Sequence, residues 1–480
     1  MADLPPDAVI AIQSFMEPLD IISLRQCSKA LQAATMHRTV WLDALRRLCA
    51  RHSIPTSTYP VDKMSLPDLI HAATAPARFI SAIRAVWRTA AASGGVMQPF
   101  STRLFTPRLA RQQNAAPLNI VHLRLVPGGR YLFTAASTGV VCLWDLGYGP
   151  ASLITPAPVA TVTLPTQPVS FLIQATPNQS GARLVVSYPD VVQIVTVFEI
   201  NLNAAKPKFT KIAEQRVHDV LALVIFALSP DRITFYADLN ITVWDFIRDT
   251  AATIDHWEGV ANITVTPTTM VVLDEDGQHV FDIPPLHPVG SPLDVPVEPS
   301  ESFGRMTLEH ITKQFPVLTD VISPQEDWLL SHDGPDVLDI VGERLDLPEG
   351  DSGFSRCIMH PIPDSGGLLP RSIPAHVGSG SFLPGQLVMH AARLQHAQNA
   401  ARDIVFALAT AATIAVNVAS LPSPSAASPA ALCASSATAI LYEFASAEIE
   451  FDYDLDALSG RLVVLVGREM RVVDYLVPNA

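Results

Sequence analysis

Few of the residues that could do chemistry in this chain stand at the spacings that chemistry needs. Gly378-Ser379-Gly380-Ser381-Phe382 sets serines among glycines, but it lacks the closing glycine of a nucleophile elbow and reads as part of a loop. Asp274-Glu275-Asp276-Gly277 concentrates carboxylates, yet the remaining oxygen ligands of a calcium loop do not follow. Its Asp-Gly step supplies the positive φ of a tight hairpin, so a turn between strands is expected there. Cys357 and His360 stand three apart and give a metal two ligands of the four that a structural zinc site takes. Asp351-Ser352-Gly353-Phe354-Ser355 lacks the serine spacing of a phosphodegron and reads as an exposed turn. There is no phosphate loop, no H-E-x-x-H helix and no dinucleotide fingerprint. The expectation is a chain without catalytic, cofactor-binding or metal-binding residues, whose work is recognition.

Composition narrows the class of partner. The net charge is −14 with no basic run, which disfavours nucleic acid and anionic membrane, since both call for clustered Lys and Arg. Hydrophobic residues make up 49% and charged residues 16% of 480, which implies a folded chain of two or three units. Forty prolines against 23 glycines point to strands and loops more than to helices. The five cysteines are far apart and odd in number, so reduced thiols in an intracellular setting are expected, cytoplasmic or nuclear. Met1-Ala2-Asp3-Leu4-Pro5-Pro6 has no basic region leading into an apolar run, so no signal peptide is expected. The sequons at Asn178, Asn240 and Asn262 are then read as unused. Ile404–Val416 is strongly apolar, but Asn417, Ser420 and the Pro/Ser-rich residues 421–429 interrupt it before a membrane span is complete, and two buried strands are expected instead.

The apolar pattern at the start of the chain has helical period. Val9, Ile12, Phe15 and Met16 form one stripe. Pro18 opens a second short helix carrying Leu19, Ile21, Ile22 and Leu24. Ser28 can cap a third, to Thr35, and Thr39 a fourth, from Val40 to about His52, with Trp41, Leu42, Leu45 and Leu48 as its stripe. Such a unit has too few inward apolar residues for a large core of its own and should complete itself against a partner.

Leu4-Pro5, the apolar helix positions, Pro18-Leu19-Asp20-Ile21, Leu24-Arg25-Gln26-Cys27-Ser28-Lys29 and Val40-Trp41 together resemble the F-box. That family implies a helical module that binds the Skp-family adaptor, and through it a cullin, in SCF-type ubiquitin ligases. The resemblance assigns adaptor contacts to Leu4, Pro5, Val9, Ile12, Phe15, Leu19, Leu24, Cys27 and Trp41. Trp41 equally suits an internal role, pinning short helices together. The second proline, Pro6, and the small Ala30 or Leu31 where the family often has an aromatic residue depart from the pattern.

Beyond His52 a helical linker is expected, starting at Ser65 and broken at Pro76, with Ala90–Gly95 as a boundary. The period then changes to two. Ile120–Val126, Tyr131–Ala136 and Val140–Asp145 are short strands joined by tight turns and ending in Trp144-Asp145, which resembles a WD-type propeller blade. The grammar recurs to Trp244-Asp245, to Phe281-Asp282 and from Ile449 to Asp474, with Phe198-Glu199 and Leu338-Asp339 as markers of degenerate units. Residues 284–299, 361–384 and 420–429 read as long loops.

The expected architecture is therefore multidomain: an all-α F-box over residues 1–50, a helical linker over 51–95, and an all-β propeller of about seven degenerate blades over 96–480. The resemblance implies the substrate-recognition subunit of an SCF-type ubiquitin ligase, non-catalytic itself, with a protein client on the propeller. The alternatives are an F-box propeller scaffold without a degradation role and a propeller enzyme.

Overall fold

In the computed structural model the described residues are 5–90, 94–109, 118–218, 223–254, 260, 262–265, 269–274, 277–290, 306–307, 317–322, 337–343, 352–362, 371–382, 388–395, 402–409, 412–420, 435–444 and 451–478. Five helices come first: α1 Pro6–Gln13, α2 Pro18–Cys27, α3 Lys29–Thr35, α4 Arg38–Arg51 and α5 Leu66–Arg88. Proline opens α1 and α2 within their first turn, where its missing N–H is no loss. The Ser28 side chain caps α3 by accepting from the Leu31 amide at 3.2 Å. Thr39 does not cap α4, because the helix starts two residues earlier, with His37 at the cap position and no side-chain capping bond.

Ser65 opens α5 with a reciprocal capping box to Asp68. Pro76 does not divide the helix as expected. It is enclosed within a continuous 23-residue α5, whose buried stripe from Leu69 to Ile83 holds it against its neighbours. Tertiary packing here outweighs the backbone hydrogen bond that an internal proline removes.

All the described sheets are antiparallel, and there are seven of them. Sheet 1 comprises Ile120–Leu125, Tyr131–Ala136, Val140–Asp145 and Ala160–Thr163. Sheet 2 comprises Ser170–Ala175, Gly181–Pro189, Gln193–Asn201 and Phe209–Val217. Sheets 3 to 6 follow with first strands Leu223–Leu228, Asn262–Val265, Val317–Ile322 and Val388–Gln395. Sheet 7 contains Phe451–Asp456, Arg461–Val466 and Glu469–Asp474, and its fourth strand is Ser101–Phe105, which precedes sheet 1 in the chain. The first strand of each sheet lies beside the first strands of the sheets before and after it, and that of sheet 7 lies beside that of sheet 1.

The strands around both Trp-Asp pairs fall where the period predicts. Trp144 and Trp244 are buried on the third strands of sheets 1 and 3. The apolar run after Ile404 forms two strands, Arg402–Ala409 and Thr413–Ser420, paired edge to edge. Among the described residues no helix is long and apolar enough to cross a membrane.

Elsewhere the local reading is overturned. Gly378–Phe382 is no loop: it belongs to the strand Arg371–Phe382, inside the stretch expected to be a long loop. Ser352–Ser355, read as a turn, begins the strand Ser352–Ile362 that pairs with it. Glycine and serine carry no apolar alternation, so only the pairing partner makes these segments strands. Leu338-Asp339 sits on a second strand, Val337–Glu343, and so does not mark the end of a unit as Trp144-Asp145 does. The turn residues 275–276 and the segment 421–434 lie outside the described residues, although Asp274 and Gly277 pair as the ends of a hairpin should.

The seam between sheets 7 and 1 is built from charge. The Asp452 and Asp454 carboxylates accept from the backbone amides of Leu123 (3.2 Å) and Leu125 (2.5 Å). Arg461, 2% exposed, donates to the Asp474 carboxylate at 2.6 Å and to the carbonyls of Gly129 and Gly147 in sheet 1. Arg103 reaches the same Asp474 at 2.9 Å. A buried guanidinium and two buried carboxylates tolerate loss of water only because each is hydrogen-bonded in this way. Burial pushes the Asp456 carboxyl up to about 6 and raises that of Asp454 as well.

Candidate functional site

The helices and the sheets share one hydrophobic core. Ile21, Trp41 and Leu45 of the short helices, Phe79 and Ile83 of α5, and Val416, Tyr453 and Leu476 of the β region belong to the same buried cluster. Trp41 is fully enclosed, and its indole N–H donates to the Thr35 carbonyl at 2.7 Å. It therefore pins α3 to α4 and offers no face to a partner, which decides between the two roles left open for it. Arg51 grips the Glu17 carboxylate through two hydrogen bonds, 2.7 and 3.1 Å, and Arg47 donates to the Met16 carbonyl. These bonds close the turn after α1 onto α4.

The remaining adaptor-assigned residues divide by exposure. Leu4 lies outside the described residues. Pro5 caps α1 and accepts from the Ala8 and Val9 amides through its carbonyl. Val9 is buried at 8% exposure, and Leu24 is half-buried. Ile12, Phe15 and Leu19 are 38%, 84% and 46% exposed, and Cys27 is exposed with its thiol hydrogen-bonded to the Ser23 carbonyl. Phe15 follows α1 and Leu19 begins α2, so an apolar ridge runs across the outside of the helical module. Water-exposed phenyl and branched aliphatic groups three and four positions apart are what a docking face presents before its partner covers it.

Gln13 sharpens the point. It is fully buried, and neither atom of its side-chain amide has a hydrogen-bond partner among the described residues. The helix thus buries an unsatisfied amide while leaving Ile12 and Phe15 in water, an arrangement that opposes stability on both sides. The apolar stripe drawn from period alone put Val9, Ile12, Phe15 and Met16 on one face and gave no role to Gln13. The polar identity of Gln13 hid it, and only the angle at which α1 meets α3 shows which face is covered.

The segment between α4 and α5 fastens the module to the sheets. Thr56 is hydrogen-bonded to Asn203, and its amide donates to the Gln179 carbonyl. Arg130, which holds Asp145 bidentately, also donates to the Ser57 carbonyl. Gly128 has φ +89°, and a Cβ there would come within 2.5 Å of Thr58. Glycine is needed at that position both for the turn and for the close approach of the linker. These contacts all fall on turns at one end of the sheets: Gly128 and Gln179 join first to second strands, and Asn203 joins a third to a fourth. Arg38 donates to the carbonyls of Met64 and Val61, tying α4 to the same linker.

Burial pushes the thiols of Cys49 and Cys142 up to about 12, so neither is a thiolate at neutral pH. His71 is pushed down to about 4 by burial and by the neighbouring Arg78, and stays neutral. Among the described residues no group of His, Cys, Asp or Glu could hold a metal ion.

No family model and no curated protein matches this chain. Solved structures with which it shares partial likeness include the C-terminal WD40 domain of Sif2, at 12% identity over 77% of this chain and 84% of that one, with a TM-score of 0.38. The structure of U3-55K matches at 12% identity over 78% of this chain and 100% of that one, TM-score 0.37. The WD40 domain of SCAP from fission yeast matches at 9% identity over 78% and 98%, TM-score 0.33. Likeness at that level speaks neither to a family nor to a function.

Proposed function

We propose that this chain is a substrate-recognition subunit of an SCF-type ubiquitin ligase: an F-box module, a fastened linker and a seven-bladed, degenerate WD-like propeller that holds a client protein. The observation that carries the reading is the exposed ridge Ile12–Phe15–Leu19 on a module whose tryptophan is already spent inside. A small set of central apolar anchors supplies most of the free energy of such helix-on-helix interfaces. The sheet order supports the propeller, because a strand from before sheet 1 completes sheet 7 and so ties the last sheet to the start of the first.

In this reading the chain performs no bond chemistry. The F-box docks the Skp-family adaptor, the adaptor joins the cullin, and the client is held near a ubiquitin-carrying enzyme. Acceleration then comes from effective concentration. The linker occupies the end of the sheets that carries Gly128, Gln179 and Asn203, which leaves the opposite end, with the turns at 136–140, 189–193 and 237–240, for a client. A rigid, multiply bonded linker suits that task, since it fixes the distance from adaptor to client.

The test is co-purification of the full chain with recombinant Skp-family adaptor and cullin, followed by reconstituted ubiquitination of proteins captured by the chain. A four-component complex with client-directed ubiquitination is expected. Adaptor binding with no ubiquitination of any captured protein would turn the reading into that of a scaffold, and no adaptor binding would end it.

A further inference from the structure

A groove of about 360 Å³ runs between α2 and α5, with Met36 at the foot of α3 among its lining. That volume lies within the range of about 300–1,000 Å³ typical of sites that enclose a ligand. Ile22 and Ile70 line it, and Leu19 and Met36 stand on its rim, 46% and 45% exposed. Two guanidiniums, Arg25 and Arg78, complete the lining, and no Asp or Glu belongs to it. On a chain of net charge −14 this is a local cationic site with an apolar floor.

The charge at the groove is held in place. Arg78 donates to the Val477 carbonyl at 2.6 Å and lies 3.0 Å from Nδ1 of His71, two neutral partners that fix its position, and no carboxylate among the described residues forms an ion pair with it. Asp68, the acid on the same turn of α5 as the groove, is turned to the helix start, where Ser65 donates to it from both its amide and its hydroxyl. The groove therefore keeps an apolar floor under two positive charges.

We infer that this groove receives an acidic, apolar segment of the adaptor, its side chains entering between Ile22 and Ile70 and its carboxylates pairing with Arg25 and Arg78. The inference rests on the adaptor reading, and it adds a second contact, continuous with the α1–α2 ridge through Leu19. Charge complementarity selects the occupant: an apolar segment without carboxylates would leave two guanidiniums desolvated and unpaired. Arginine's planar fork suits bidentate pairing with such carboxylates.

The experiment measures binding of full-length protein to recombinant Skp-family adaptor by calorimetry at low and high salt, with the variants Arg25→Glu, Arg25→Lys, Arg78→Glu and Phe15→Asp. Arg25→Glu is expected to weaken binding at least tenfold at low salt and to flatten the salt dependence, with Arg25→Lys, which keeps the charge but not the fork, falling between it and wild type. Arg25 carries the test because Arg78 also ties α5 to Val477, so that replacing it disturbs the fold as well. Melting curves verify that each variant is folded. If Arg25→Glu and Arg78→Glu both bind within twofold of wild type while Phe15→Asp does not bind, the groove inference falls and the adaptor reading stands. If the wild type itself fails to bind, the adaptor reading falls and takes the groove with it. Self-association abolished by Arg25→Glu, with adaptor binding unchanged, would assign the groove to a second copy and overturn the inference.

Discussion

Phe15 and Trp41 are both large aromatic residues of the helical module, and truncating each should fail in a different way. Phe15 is 84% exposed, and Trp41 is 0% exposed. A phenylalanine side chain of about 200 Å² left 84% in water would bury about 170 Å² on docking, worth at most about 4 kcal/mol at about 25 cal/mol per Å². Imperfect fit and lost side-chain freedom reduce this to about 2 kcal/mol, so Phe15→Ala should weaken adaptor binding by about 30-fold. Its melting transition should be unchanged, because nothing in the fold rests on that ring. Trp41→Ala instead opens a cavity in the shared core and leaves the Thr35 carbonyl without its donor. It should cost about 3–5 kcal/mol of stability and lose binding only through unfolding. Calorimetric titration with adaptor, paired with urea denaturation of each variant, separates the two. A folded Phe15→Ala protein that binds within twofold of wild type would refute the reasoning.

Other expectations concern the seam and the linker. Arg461→Met should destabilise the chain by about 3 kcal/mol, near the low end for a broken buried pair because Arg103 still faces Asp474. A urea-denaturation loss under about 1 kcal/mol would show that the seam does not depend on it. The Asp456 carboxyl, pushed up to about 6, keeps its proton in the folded chain where the unfolded chain has lost it. Stability from this group therefore falls as pH rises from about 4 to about 6 and is level above that, a swing of up to about 3 kcal/mol. Asp456→Asn should remove that swing, so its denaturation midpoint should improve relative to wild type between pH 4.5 and pH 7.5; an unchanged difference contradicts the assignment. Ser65→Ala removes the capping box of α5 and should cost about 1 kcal/mol in the same assay. A loss shared equally by helix and sheet signals would match the common core, and two separate transitions would contradict it.

Much of this molecule is legible in local pattern. Ser28 and Ser65 announce helix starts by side-chain chemistry that acts within three residues, and both act as expected. Tyr131–Ala136 and Val140–Asp145 announce strands by apolar alternation and a turn with glycine, and both appear with those bounds. Pro76 and Ser352–Phe382 defeat the same reasoning, because their states are set by neighbours distant in sequence.

The candidate site shows the same division. Its location in the first fifty residues, and the presence of more apolar side chains than the module can enclose, follow from residue types alone. Which of those side chains remain outside does not. Period places Ile12 and Phe15 on the same stripe as Val9, and only the packing of α1 on α3 turns Gln13 inward and those two outward. The groove brings together Arg25 and Arg78, more than fifty positions apart in the chain, and Asp474 meets Arg103 across most of it. The sequence by itself determined the helix starts at Ser28 and Ser65 and the strand grammar around Trp144 and Trp244, because those depend on groups within a few residues of each other. The tertiary structure alone decided which apolar faces stay in water and which charges meet, because burial and pairing belong to surfaces brought together only when the chain closes on itself.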